Sequence, residues 1–111
     1  MDKLKKYREA VKYILKDYAS LSPSTNEVTT QLLFDNENDH YQLMYVGWQN
    51  GRRIYGAVIH MDIMNGKVWL QYNGTEEDLA QSLLDQGVER EDIVFGFKPV
   101  SVRKHTGFAT I

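Results

Sequence analysis

Two Asn-Gly pairs interrupt the strand-like stretch between positions 41 and 74, one at Asn50-Gly51 and the other at Asn65-Gly66. Both central residues of a type I′ turn need a positive φ, and Asn followed by Gly adopts that conformation most readily. An Asn-Gly pair between apolar alternations is therefore the strongest short-range signal for a β-hairpin. Two such pairs predict a three-stranded antiparallel meander, and they define which residues pair across it.

Counting outward from the two turns gives the predicted register of the meander. Met44 then lies opposite Ala57, and Ile59 lies opposite Tyr72. Because successive side chains of a strand point to opposite faces, one face collects almost only apolar residues, and we expect the helices to cover it. This predicted core face consists of Met44, Val46, Trp48, Tyr55, Ala57, Ile59, Met61, Ile63, Val68, Leu70 and Tyr72.

The opposite face of the predicted meander is unusually apolar for a surface in contact with water. A second copy of the chain, another segment of the same chain or a bound ligand would each explain that composition. A homodimer contact is the first expectation. The candidate interface residues on this face are Tyr45, Ile54, Val58, His60, Asp62 and Trp69.

His60 and Asp62 form the candidate chemical pair, because residues two apart on a strand share a face. The register places His60 opposite Gln71. A carboxylate beside an imidazole can orient a general base or contribute two metal ligands. The same pair can also be a purely structural hydrogen bond. A complete site needs a further group, which His40 or His105 could supply only if the fold brings it close.

The C-terminal run from Arg103 to Phe108 is a second candidate site. A glycine beside hydroxyl and basic residues can bind an anion through backbone N–H groups. The chain contains neither of the glycine-rich nucleotide-binding patterns, so this segment is not expected to bind a nucleotide. The alternative to an anion site is a terminal strand docked by Phe108 and Ile111. The residues of this candidate motif are Arg103, His105, Thr106, Gly107 and Phe108.

Helical periodicity and capping residues predict the rest of the fold. Apolar residues recur at helical spacing over 3–18, and a second helix begins at a Thr75 cap and ends at Gly87. β-branched and aromatic residues predict further strands at 28–34 and 93–97. The expected fold is α+β with two layers: a mainly antiparallel sheet of four to five strands, an N-terminal helix, and a second helix before the last strand.

Composition and charge restrict the class of protein. The 111 residues are expected to form a single domain, 1–111. The chain has no Cys, which excludes disulfides and thiolate metal sites. No stretch approaches the roughly 18 apolar residues of a membrane span, so a cytoplasmic protein is expected. The net charge is −2, with an acidic middle between basic ends. Lys5, Lys6 and Arg8 could contact DNA there, or they could be an ordinary solvated helix face.

Five segments of the chain carry a specific family resemblance: YREAVKYILKDYA, TTQLLFDNENDHYQLM, IHMDIMNGKVW, NGTEEDLAQSLLDQGV and HTGFA. Together they resemble the XisI family, the fdxN-element excision controlling factors of filamentous cyanobacteria. The resemblance implies a controlling role in DNA excision during heterocyst differentiation. It also implies two partners, a site-specific recombinase that cuts and rejoins the strands and a companion protein of the XisH family.

The function expected from this resemblance is that of a non-enzymatic accessory factor, which acts through contact with an XisH-like partner and uses neither metal nor cofactor. Two alternatives stay open. The first is direct DNA binding through the basic termini. The second is an uncharacterised enzyme that uses His60, Asp62 and His105.

Overall fold

The computed structural model describes residues 2–21 and 27–111. The helices are α1 (Lys3–Leu21), α2 (Leu79–Asp85) and α3 (Val100–Arg103), and a single 3-10 turn spans Arg90–Asp92. The strands are β1 (Val28–Asp35), β2 (His40–Gln49), β3 (Arg52–Met64), β4 (Lys67–Asn73) and β5 (Ile93–Phe95).

The five strands form one sheet in chain order, from β1 to β5. The first four pair antiparallel with their neighbours, and β5 runs parallel to β4. Helix α1 contacts β1, β2 and β3 as well as α2. The predicted α+β fold, with a mainly antiparallel sheet and helices at the two expected places in the chain, is confirmed.

Both Asn-Gly turns have the backbone conformation that the sequence predicts. Asn50 and Gly51 have φ values of 52° and 75°, and Asn65 and Gly66 have values of 54° and 75°. These values match the two left-handed positions of a type I′ turn. The β2–β3 and β3–β4 hairpins, with the pairing next to each turn, are therefore confirmed.

The register changes at a β-bulge between β2 and β3. Leu43 pairs with Ile59, whereas the next residue, Met44, pairs with Ala57, so Val58 is an extra residue in β3. A bulge places two residues of one strand opposite one residue of its partner. Because side chains alternate with a period of two, one extra residue exchanges the faces of everything beyond it.

A second bulge lies between β3 and β4. His60 pairs with Tyr72, and Gln71 is the extra residue before the next pair. The predicted pairings of His60 with Gln71 and of Tyr72 with Ile59 are therefore wrong. Neither bulge contains a residue type that would have revealed it in the sequence, because Val and Gln are ordinary strand residues.

The two bulges correct the predicted division of the sheet into faces. The helix-covered face retains the end of β3 and the start of β4, and it gains Tyr41 and Leu43, both fully buried. We call the sheet face opposite the helices the outer face. The residues predicted for the core that lie on the outer face instead are Met44, Val46, Trp48, Tyr55, Ala57 and Tyr72.

The core lies between the helix-covered face and the apolar sides of α1 and α2. Helix α1 follows the predicted periodicity and ends at Leu21, three residues beyond the predicted end. Burial of each large apolar side chain contributes about 1.5–3 kcal/mol, so these two helices anchor the sheet. The buried helix residues are Tyr7, Ala10, Val11, Ile14, Leu15, Leu79, Ala80 and Leu83.

Helix α2 begins later than the sequence predicts. Its N-cap is Asp78, whose carboxylate accepts from the backbone N–H of Gln81 at 3.1 Å. The predicted cap, Thr75, donates instead to the side chain of Asn73 at 2.6 Å, within a turn that precedes the helix. The predicted end at Gly87 is confirmed, since its φ of 92° is the left-handed conformation that ends many helices.

Two carboxylates tie α1 to turns that border the sheet. Buried Asp92 accepts a hydrogen bond from the Tyr7 hydroxyl at 2.5 Å and pairs with Lys3 at 2.7 Å. Burial and the bond to Asp92 raise the pKa of Tyr7 to about 12. Asp39, in the β1–β2 turn, accepts from Arg8 Nε at 2.7 Å, and this guanidinium lowers the pKa of Asp39.

Replacement of Arg8 by Gln is expected to lower the thermal unfolding midpoint at neutral pH, and the loss is expected to shrink in acid. The folded-state pKa of Asp39 lies below the value of about 3.9 for an unfolded Asp. The stability that this carboxylate contributes is therefore present above that value and is lost as the pH falls through the folded-state pKa. Thermal unfolding across this pH range measures the effect. The control is Arg52→Gln at an exposed position, and a deficit of Arg8→Gln that persists unchanged in acid would contradict the prediction.

Candidate functional site

Three titratable side chains meet on the outer face, where β2 and β3 run side by side. His40 Nδ1 lies 2.9 Å from Asp62 Oδ1, and His60 Nε2 lies 2.8 Å from the same oxygen. The potential ligand atoms of the three residues all lie within 4.8 Å of one another. We call His40, His60 and Asp62 the His–Asp–His cluster.

Strand alternation brings the cluster together. On β3, His60 and Asp62 alternate with the buried residues Met61 and Ile63, so burial of the apolar pair directs the polar pair to the outer face. His40 stands directly opposite Asp62 in the β2–β3 register. All three side chains are thus held by a regular part of the sheet.

Asp62 is the centre of this hydrogen-bond network. The residue is only 6% exposed, and its second oxygen, Oδ2, accepts from Gln71 Nε2 at 3.1 Å. The side chains of His40 and His60 are 52% and 28% exposed, so solvent reaches the cluster from their side. The hydrogen bond to Asp62 and its negative charge raise the pKa of His40. The arrangement can hold a proton between imidazole and carboxylate, or present three ligand atoms to a cation.

The third member of the cluster is His40, and the predicted alternative His105 stays apart. Within residues 2–21 and 27–111, the His–Asp–His cluster is the only group of three or more His, Asp or Glu residues whose ligand atoms lie this close together. His105 does not belong to it. His105 is exposed and follows α3. The structure therefore does not assemble the candidate enzyme site that combines His60 and Asp62 with His105.

Arg103 is a buried structural residue within the C-terminal candidate motif. Its Nε donates to the carbonyl oxygens of Phe95 and Lys98 at 3.1 and 2.9 Å, and its Nη1 donates to that of Thr110 at 3.1 Å. Its guanidinium carbon lies 5.1 Å from the centre of the Trp69 ring. These contacts occupy the guanidinium and hold the C-terminal segment against the sheet, so Arg103 does not present its charge to an external anion.

The rest of the C-terminal motif docks through one aromatic contact. The rings of Phe108 and Phe95 pack edge to face with centres 5.1 Å apart, which confirms docking by Phe108. The terminal segment is not a regular strand, since only one bridge joins Ala109 to β5 after the short helix α3. Ile111 contacts the sheet through its carbonyl oxygen, which accepts a hydrogen bond from Lys67, whereas its side chain is 67% exposed and does not dock by apolar packing. Thr106 and Gly107 lie in the turn between α3 and this bridge.

The six candidate interface residues do not share one face. Tyr45 and Val58 pack against the core beneath the helices, and Ile54 pairs with Gly47 on the same side of the sheet. The extra residue at Val58 is the cause, because it exchanges the faces of the strand on either side of it. The three candidates that lie on the outer face are His60, Asp62 and Trp69.

The outer face carries exposed apolar residues that sequence reasoning assigned to the core or left out. We call Leu33, Trp48, Tyr55 and Tyr72 the outer patch; they are 45%, 56%, 68% and 50% exposed. Arg53 lies among them, with its guanidinium carbon 5.5 Å from the ring centres of both Trp48 and Tyr55. Strand alternation without the bulges assigns the three aromatic members to the core face, so it does not predict their exposure.

The three candidate DNA-contact residues on α1 differ in their surroundings. Lys5 and Lys6 are exposed, whereas Arg8 is paired with Asp39. The positive charge that α1 offers to a phosphate backbone is therefore reduced at Arg8.

In the described ranges, no helix is long and apolar enough to cross a membrane.

Comparison with known proteins identifies the family. The family model of the XisI protein matches residues 1–110. The chain belongs to the XisI family. A solved XisI-like protein from Anabaena variabilis ATCC 29413 is 48% identical over 96% of this chain and 97% of its own, with a TM-score of 0.92. No curated protein matches the chain.

A second solved member of the XisI family is similar over its whole length. It is the fdxN element excision controlling factor XisI from Anabaena variabilis ATCC 29413. It is 32% identical, covers 99% of this chain and 100% of its own, and superposes with a TM-score of 0.88. Membership of the XisI family, expected from the five sequence segments, is thus confirmed, and the similarity in fold covers nearly the whole chain.

Proposed function

We propose that this chain is a non-enzymatic accessory factor in the control of DNA-element excision and that it works through protein–protein contact, first with an XisH-like partner. Membership of the XisI family supports a role in excision control, since a family member that is 32% identical to the chain is named as an excision controlling factor. The outer patch is the observation that supports contact with a protein partner.

The outer patch has the composition of a binding surface. Isolated exposed apolar residues are normal, whereas exposed apolar side chains that lie close together typically mark an interaction site. Trp48 and Tyr55 flank Arg53, and Trp, Tyr and Arg are the residue types most enriched at interface hot spots. A partner that covered these side chains would remove two half-exposed aromatic rings from water at little conformational cost.

Direct DNA binding is the second candidate function. Exposed Lys5 and Lys6, on a helix whose first 18 residues carry a net positive charge, favour it. Two of the basic residues at the ends of the chain work against it, because Arg8 pairs with Asp39 and Arg103 is buried against backbone carbonyls. Protein contact is therefore the better-supported function.

Tyr55→Ala and Trp48→Ala are expected to weaken binding of an XisH-like partner. Truncation of a hot-spot residue costs about 2 kcal/mol or more, which corresponds to roughly a thirtyfold increase in Kd. Titration calorimetry with the purified partner at high salt measures the affinity. Tyr13→Ala is the matched control, because Tyr13 is 54% exposed but lies on α1, away from the outer face.

Three outcomes would contradict the proposed surface, partner or mode of action. Partner binding that is equally sensitive to Tyr13→Ala and Tyr55→Ala would remove the outer patch from the interface. Retention of duplex DNA that falls steeply with salt and is lost in a Lys5→Ala, Lys6→Ala double variant would favour the DNA-binding function instead. If sedimentation shows a homodimer that Tyr55→Ala dissociates, the outer patch binds a second copy of the chain.

A further inference from the structure

The His–Asp–His cluster has the ligand types of a transition-metal site. Imidazole nitrogens and carboxylate oxygens are established ligands of Zn²⁺, and three protein ligands with a fourth position open to water are a common zinc arrangement. Mg²⁺ and Ca²⁺ prefer sets of oxygen ligands, so they fit this cluster poorly. The donor set therefore favours a first-row transition metal.

The sheet holds the three donors close to a binding geometry. Zinc ligands lie about 2.0–2.2 Å from the ion, which places two ligand atoms of a tetrahedral site roughly 3.3 Å apart. The nitrogens of His40 and His60 now lie 2.9 and 2.8 Å from Asp62 Oδ1. Admission of the ion requires these two contacts to open by about half an ångström and the two nitrogens, which lie within 4.8 Å of each other, to settle at roughly 3.3 Å. Rotation of two partly exposed imidazoles can supply both changes.

The surroundings of the cluster supply a second layer and an approach path. Gln71 holds the far oxygen of Asp62, which leaves Oδ1 directed at the two imidazoles. Partners that orient a ligating group in this way commonly tune metal affinity. The side chains of His40 and His60 are 52% and 28% exposed, and this exposure opens the cluster to solvent. An ion that enters from that side can keep a water molecule as its fourth ligand.

We propose that His40 Nδ1, His60 Nε2 and an oxygen of Asp62 bind one divalent transition-metal ion, Zn²⁺ in the first instance, with a fourth position open to solvent on the outer face. The inference does not depend on the proposed function, because it rests only on the cluster itself. It also departs from the expectation, drawn from the sequence, of a protein without metal.

Titration of ZnCl₂ into the full chain without an affinity tag is expected to show one bound ion per chain, and MgCl₂ is expected to show none. Zn²⁺ is also expected to raise the unfolding midpoint, because an ion that binds only the folded state stabilises it. His40→Ala and His60→Ala should each lower zinc affinity by more than tenfold. Gln71→Leu should lower it within the range of about 10–100-fold that loss of an orienting partner causes.

His105→Ala is the matched control, because it removes an exposed imidazole outside the cluster, and it should leave zinc affinity unchanged. Asp62 is buried, so Asp62→Asn, which keeps the shape of the side chain, tests whether its carboxylate contributes to zinc affinity. Circular dichroism first confirms that this variant folds. Absence of zinc uptake by the folded wild-type chain would overturn the proposal and leave the cluster as a structural hydrogen-bond network. Equal loss in His105→Ala and His60→Ala would overturn it as well, since it would mean nonspecific surface binding.

Discussion

Leu43→Ala is expected to lower the free energy of unfolding by about 2–5 kcal/mol, the cost of truncating a fully buried Leu in a well-packed core. Leu43 is 0% exposed and pairs with Ile59, also 0% exposed, beneath the helices. Loss of its side chain would leave a cavity between the sheet and α1 that rigid neighbours cannot fill. Urea unfolding followed by circular dichroism measures the difference.

Tyr55→Ala is the control for that prediction. Strand alternation without a bulge places Tyr55 in the core and Leu43 outside it, whereas the structure leaves Tyr55 68% exposed. A surface substitution of this kind changes stability by only about 0.5 kcal/mol. If Tyr55→Ala were the more destabilising of the two, the bulge at Val58 and the assignment of faces derived from it would be wrong.

Gly47→Ala is expected to lower the free energy of unfolding by about 1–3 kcal/mol, the usual cost of forcing extra volume into a packed site. A Cβ at position 47 would overlap the carbonyl oxygen of Glu27 and lie 2.7 Å from the Cα of Val28. That carbonyl accepts the backbone N–H of Trp48 at 3.0 Å, so the start of β1 would have to move away and weaken this bond.

Gly56→Ala is a closely matched control, because Gly47 and Gly56 have nearly the same φ, 159° and 158°. A Cβ at position 56 meets no atom within 4 Å. Any cost of the backbone conformation is thus common to both variants, and the difference between their unfolding free energies reports the close approach of β1. Equal destabilisation by the two substitutions would contradict the predicted steric conflict.

Local sequence signals predicted most of the elements, because each signal acts over a few residues. The Asn-Gly pairs specified both hairpins through the positive φ that they tolerate, and Gly87 ended α2 for the same reason. The start of α2 was missed because Thr75 and Asp78 are both good capping residues. The choice between them depended on a neighbouring side chain, that of Asn73.

The candidate site was only half predictable. His60 and Asp62 share a strand, so their common face follows from alternation. His40 joined them because β2 and β3 place it opposite Asp62, a contact between residues 22 positions apart in the chain. The candidate enzyme site drawn from the sequence named His105 as the third residue, and only the path of the C-terminal segment removed it.

The sequence by itself determined the two longer helices and the five strands, the two hairpin turns and membership of the XisI family, because these depend on local conformation and on recognisable runs of residues. Only the tertiary structure decided which side chains face the core and which form the outer patch. The physical reason is that Val58 and Gln71 are bulge residues, and each extra residue exchanges the faces of the strand beyond it without a local sequence signal. One extra residue at each place was enough to bury Leu43, to expose Trp48 and Tyr55, and to bring Tyr72 beside His60.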